Sequence, residues 1–228
     1  SNKSEKDQLW TGLAKETAHQ LGTPLSSLIG WNEYIRSKEK IDKKYISKEI
    51  EKDLIRLKII TDRFSGIGSK PILKKKNLKK IITNNIDYLK KRVSSEIKTS
   101  FNLKEINYEI NEQLFGWVIE NLYKNSVDAI GKNGDIIINL FEENNKIIVE
   151  FSDTGQGMKK TEFKKIFNPG YTTKTRGWGL GLALAYRIIS DYHKGIIYVK
   201  TDPELCNERI KSRNRSGENI PIEYLKKC

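Results

Sequence analysis

The chain has 228 residues, 37% of them apolar and 31% charged, with a formal net charge of +13. That length suits one large domain or two small ones. The mean hydropathy of −0.61 predicts a soluble, globular chain, and no apolar run approaches the roughly 18–20 residues of a membrane helix. Cys206 and Cys228 have no CxxC pair or Cys/His cluster beside them. This argues against a structural zinc site and for free thiols in a reducing compartment.

The opening "SNKSEKDQLW" is polar, unlike a signal peptide. Ser1 and Asn2 read as the scar of a removed tag, with a further segment expected upstream. An apolar stripe then runs through Leu9, Leu13, Ala14, Leu21, Leu25, Leu28 and Ile35, at helical spacing. After the polar break "RSKEKIDKK", a second stripe runs through Ile46, Ile50, Leu54, Leu57, Ile60, Phe64 and Ile67. Two helices with a short connection predict an antiparallel hairpin over residues 1–68. A lone hairpin leaves both stripes uncovered, so pairing of two hairpins into a dimeric four-helix bundle is expected. "GIGSKP" at 66–71 reads as a hinge into a second domain, 69–228.

The second domain alternates helices and strands. Helix patterns cover about 78–93, 111–130 and 179–193, and "KTSFNL" and "GIIYVK" read as strands. "GDIIINLFEENNKIIVEFSD" reads as a hairpin turning at "EENN". The expected class is α+β: a helical hairpin followed by a two-layer α/β sandwich. The one dense basic run is "KPILKKKNLKK" at 70–80. No base-reading motif accompanies it, so solvated faces are favoured over a nucleic-acid patch.

Three stretches carry the chemistry. "ENLYKNSVDAI" places Asn121 and Asn125 four apart on one helix face. "DTGQGM" supplies Asp153, Gly155 and Gly157, and "IFNPGYTTKTRGWGLGLALA" supplies Phe167, Thr173, Lys174, Gly177, Gly179, Leu180 and Gly181. In this order they resemble the ATP-site boxes of sensor histidine kinases, which share a fold with gyrase-type ATPases. "AHQLGTPLSSL" at 18–28 resembles the phosphoacceptor box of the same family. The resemblance covers roughly residues 9–200.

It implies ATP and Mg2+ as cofactors. Asn125 is the implied magnesium ligand, an oxygen donor of the kind that ion prefers. Asn121 stands where gyrase-type ATPases carry a water-activating glutamate; an amide cannot accept that proton. Asp153 is the implied adenine-reading carboxylate, and Gly155 and Gly157 let the backbone pass close to the nucleotide. Phe167 is either a lid anchor or an ordinary core residue. Thr172, Thr173, Lys174 and Arg176 lie in an expected lid whose cations meet phosphate oxygens or serve solubility. Gly177, Gly179 and Gly181 lead into a helix start suited to phosphate.

His19 is the implied phosphoacceptor. Pro24 removes the donor to the Gln20 carbonyl and Gly22 loosens the turn, so a bend is expected just beyond His19. Gln20 stands where the family often has Glu or Asp. Either positioning and the metal suffice for phosphoryl transfer, or Glu16, three residues before His19 on its face, supplies the acceptor for its second ring nitrogen. Thr23, at i+4 from His19, is implied to position water for a phosphatase step on the partner. His193 reads as a helix C-terminal cap.

The implied partners are a second copy through the hairpin and the receiver domain of a response regulator, with no nucleic acid or membrane contact. The implied location is cytoplasmic, with an anchor upstream. Departures are Asp128 where many members have Lys, Trp178 between the glycines, and "TDPELCNERIKSRNRSGENIPIEYLKKC" from 201 in place of the usual last strand. A nucleotide-binding regulator without turnover is the rival reading, and a basic nucleic-acid binder the other.

Overall fold

The computed structural model describes residues 3–38, 41–68, 70–158, 160–163, 165–174, 177, 179–193 and 198–201. Arg176, Trp178, Gly195, both cysteines and the atypical stretch after Thr201 lie outside the described residues.

Helices α1 (Lys3–Ser37) and α2 (Lys43–Gly68) form the hairpin. Trp10 meets Phe64 edge-on at the base, and Trp31 meets Tyr45 at the tip, which fixes the antiparallel run. Asp42 starts α2 by accepting from the Tyr45 N–H at 3.0 Å. α1 continues through Pro24, whose ring is buried. Gly66 and Gly68 lie inside α2, not in a hinge. A Cβ at 66 would stand 3.2 Å from Leu114, so this glycine lets the helix end close on that side chain. None of the helices among the described residues is long and apolar enough to cross a membrane.

The second part begins with β1 (Lys74–Asn77) and α3 (Leu78–Lys90), followed by β2 (Ile97–Leu103), β3 (Asn107–Ile110) and α4 (Glu112–Ile130). Then come β4 (Gly134–Glu143), β5 (Lys146–Asp153), α5 (Gly181–Arg187) and β6 (Tyr198–Thr201). The sheet order is β2-β4-β5-β6, with β4 and β5 antiparallel and the outer pairs parallel. Asn144 and Asn145, both at positive φ, make the two-residue turn between β4 and β5. Asn tolerates that region, and such turns match strand twist.

One face of β4 presents Ile136, Ile138 and Leu140, all fully buried beneath α3, α4 and α5. The other face carries a polar ladder: Asn102 donates to Asn139, which donates to Glu150. Helices on one side of a sheet make the two layers the sequence predicts. β1 and β3 pair as a separate two-stranded ribbon that the apolar pattern does not announce. Two lysines of the basic run are paired with carboxylates: Lys76 with Glu112 and Lys79, just after β1, with Glu105.

α5 starts at Gly181, two residues later than expected, because Gly179 at φ +63 is not helical. It passes into a π-helical turn, Ile188–Tyr192, capped by His193. His193 is buried. Its Nε2 accepts the N–H of Asn111, the N-cap of α4, so Nδ1 carries the proton and donates to the Ile188 carbonyl. Burial holds its pKa below the ordinary 6.5. The unfolded chain therefore binds the proton first, and stability falls as pH drops through that value. Denaturation midpoints should fall between about pH 7.5 and 5.5, and His193→Gln should flatten that slope.

Candidate functional site

Asn121, Asn125 and Asp128 step by four and three along α4 and share one face. The Nδ2 of Asn121 is buried without a hydrogen-bond partner. Gly181 approaches the same amide, since a Cβ there would lie 3.1 Å from Asn121 Oδ1. A buried donor without a partner is costly for a chain to keep, which makes it a natural point for a ligand's acceptor.

The oxygens of Asn125 and Asp128 already hold a cation. Lys174 Nζ donates to Asn125 Oδ1 at 3.0 Å and pairs with Asp128 Oδ2 at 2.6 Å. Hard oxygens that accept an ammonium suit Mg2+ equally, so the residues fit that ion.

The turn after β5 sits at the end of α4. Asp153 Oδ1 accepts the Gly155 N–H at 2.9 Å, and the Gln156 N–H donates to the Ala129 carbonyl at 2.9 Å. A Cβ on Gly155 would lie 2.5 Å from Ala129 Cβ and 2.7 Å from its carbonyl carbon. Gly155 is thus required by the protein's own packing. Gly157 stands at φ +69.

The lid is closed at its neck, where the Gly170 N–H donates to the Gly179 carbonyl. A Cβ at Gly179 would strike the Tyr171 carbonyl oxygen at 2.5 Å. Gly177 has φ +120. Thr173 is exposed, and the Thr172 hydroxyl caps the Lys174 N–H. Phe167 is half-buried and packs on Tyr186 of α5, outside the core. The Leu180 side chain is buried and meets α1: a Cβ at Gly12 would lie 2.8 Å from it. Its contact is therefore to the hairpin.

On α1, His19 and Thr23 are exposed. Gln20 Nε2 donates to Glu16 Oε1 at 2.5 Å. The two side chains, one turn apart, are therefore joined, a contact that the sequence reading of either residue does not include.

Residues 110–221 match the family described as histidine kinase-, DNA gyrase B- and HSP90-like ATPase. The sensor histidine kinase ZraS of Salmonella typhi is 30% identical over 197 residues, 83% of this chain and 42% of that protein. The chain belongs to the sensor histidine kinase family. It spans about two fifths of the length of that curated relative. The catalytic domain of histidine kinase ThkA is similar at 28% identity and TM-score 0.50, over 53% of this chain and 81% of that one. The crystal structure of ThkA in complex with response regulator protein TrrA shares the fold, at 24% identity and TM-score 0.50 over 79% and 54%.

The hairpin docks largely through side chains to which the sequence pattern assigns no role. Arg63 of α2 pairs with Glu120 of α4 and lies over the Trp117 ring at 5.4 Å. Gln113 donates to Asp62, and the Tyr192 hydroxyl to the Ile67 carbonyl at 2.6 Å. Trp10 packs under Arg187 of α5. Burial pushes the Glu120 carboxyl up, but the charges of Arg63 and Lys124 outweigh it and hold it below the usual carboxylate value. Glu120 is thus bound to the dock and turned away from the Asn121 face. Its signal in sequence was only a carboxylate at helical spacing from Gln113, Trp117 and Lys124.

Gly155→Ala should lower stability by about 1–3 kcal/mol, the cost of overpacking, measured by chemical denaturation. A variant as stable as the parent would show that Ala129 gives way.

Proposed function

We propose that the chain binds ATP between α4 and the lid and transfers its γ-phosphoryl group to His19, from which it passes to an aspartate of a response-regulator receiver domain. The observation that carries this reading is the α4 face: an unpartnered Asn121 amide beside the Gly181 backbone, and cation-holding oxygens on Asn125 and Asp128. Asp153 would read the adenine amine, and the glycine turns at 155–157 and 177–181 would bring backbone up to the nucleotide. Asn125 would hold Mg2+, whose charge would offset that of the phosphates.

At His19 a neutral ring nitrogen attacks the γ-phosphorus. The P–N bond forms as the bond to the ADP oxygen breaks, and ADP leaves. The imidazole must then shed the proton from its other nitrogen. Glu16 is the acceptor within one turn, and Gln20 orients it through its amide. Asn121 has no basic atom to activate water, which favours transfer over hydrolysis. Thr23 would orient water for dephosphorylating the regulator.

Exposed apolar side chains support dimerisation through the hairpin. Leu25, Ile29, Leu54 and Ile55 are each about half exposed, and a second copy would cover them. A cytoplasmic location, with an upstream anchor in the parent protein, fits the same reading.

Incubation with Mg2+ and γ-labelled ATP should give acid-labile, alkali-stable label on the parent and none on His19→Ala. Glu16→Gln should label more slowly, and Thr23→Ala should label normally yet fail to dephosphorylate the regulator. Undiminished label on His19→Ala would refute the assignment.

A further inference from the structure

The lid lysine does something that a solubilising or phosphate-seeking residue need not do. Its ammonium lies on α4, 3.0 Å from the Asn125 amide oxygen and 2.6 Å from Asp128. These are the oxygens the proposed magnesium site would use. Thr172 fixes the lysine's own backbone N–H at 3.1 Å, so the lid tip is tied to α4 at one point. The neck between Gly170 and Gly179 closes the same loop behind it.

An ammonium and a divalent ion on one amide oxygen repel each other, so each disfavours the other there. We propose that Lys174 is a tethered stand-in for the divalent cation, and that Asp128 is the positioning residue that holds it on Asn125. Mg2+ at Asn125 would displace the ammonium and release Lys174 from α4, so metal binding and loss of the tether are one event. The inference rests on the nucleotide-site reading above and adds a competition to it. Because both side chains are about half exposed, the tether is weak and readily exchanged.

The test measures ADP binding to the full chain by calorimetry, in EDTA and across a MgCl2 series, together with hydrogen exchange of the lid amides in EDTA. Lys174→Met should lower the Mg2+ concentration for half-maximal enhancement of ADP binding by about threefold, and Lys174→Arg should stay near the parent. Both Lys174→Met and Asp128→Asn should speed lid exchange by about three- to fivefold, the range of an exposed pair. An unchanged or raised Mg2+ requirement in Lys174→Met would overturn the competition, as would lid exchange equal to the parent in both variants. Weaker ADP binding in EDTA with no change in Mg2+ requirement would make Lys174 a phosphate contact only, which also overturns it. Failure of the parent to bind ADP under any condition would remove the nucleotide reading itself, a result the lid exchange would distinguish from loss of the tether alone.

Discussion

Helix α4 is asked to satisfy three neighbours at once, and the rest of the structure depends on how it divides them. Its buried stripe, with Val118, Ile119 and Leu122, packs on the sheet layer. A second stripe, Gln113, Trp117, Glu120 and Lys124, serves the dock against α2. A third, Asn121, Asn125 and Asp128, faces the lid and the glycine turns. At about 100° per residue, the lid stripe lies about a quarter turn from the dock stripe and about a quarter turn from the buried stripe, which leaves the buried stripe opposite the dock. A one-residue shift in helix register would put polar groups into the core and apolar groups into the site.

The two charged attachments on α4 differ in strength for a physical reason. Arg63 and Glu120 are each less than a fifth exposed, and Arg63 also lies over the Trp117 ring. Losing one partner of such a hydrogen-bonded charge pair costs about 1.5–3 kcal/mol. Lys174 and Asp128 are about half exposed, where a pair contributes at most about 1 kcal/mol. The hairpin dock is therefore the firm contact and the lid the loose one. On the function proposed above, this order would let the lid move while α1 stays near.

Much of this was legible in the sequence. The helix stripes announce themselves by period, and the β4–β5 hairpin by its turn at "EENN". The site glycines announce themselves by spacing, although Gly155 proves to be held by Ala129. The β1–β3 ribbon was not legible, because short exposed strands carry no apolar period. Gly66 read as a hinge because its true neighbour, Leu114, is far away in sequence. The Glu16–Gln20 pair and the Lys174 tether depend on side-chain geometry that spacing alone leaves open. The Arg63–Glu120 pair joins residues 57 apart, and nothing local marks it.

The central claim is that one face of α4 is the nucleotide's and another the hairpin's. Calorimetric titration of ATP with Mg2+ into the parent, Asn121→Ala and Arg63→Ala tests it most directly. The account predicts one site per chain, lost or weakened at least tenfold in Asn121→Ala, the order of one hydrogen bond to a charged group, and retained in Arg63→Ala. Binding that survives in Asn121→Ala but fails in Arg63→Ala would contradict it.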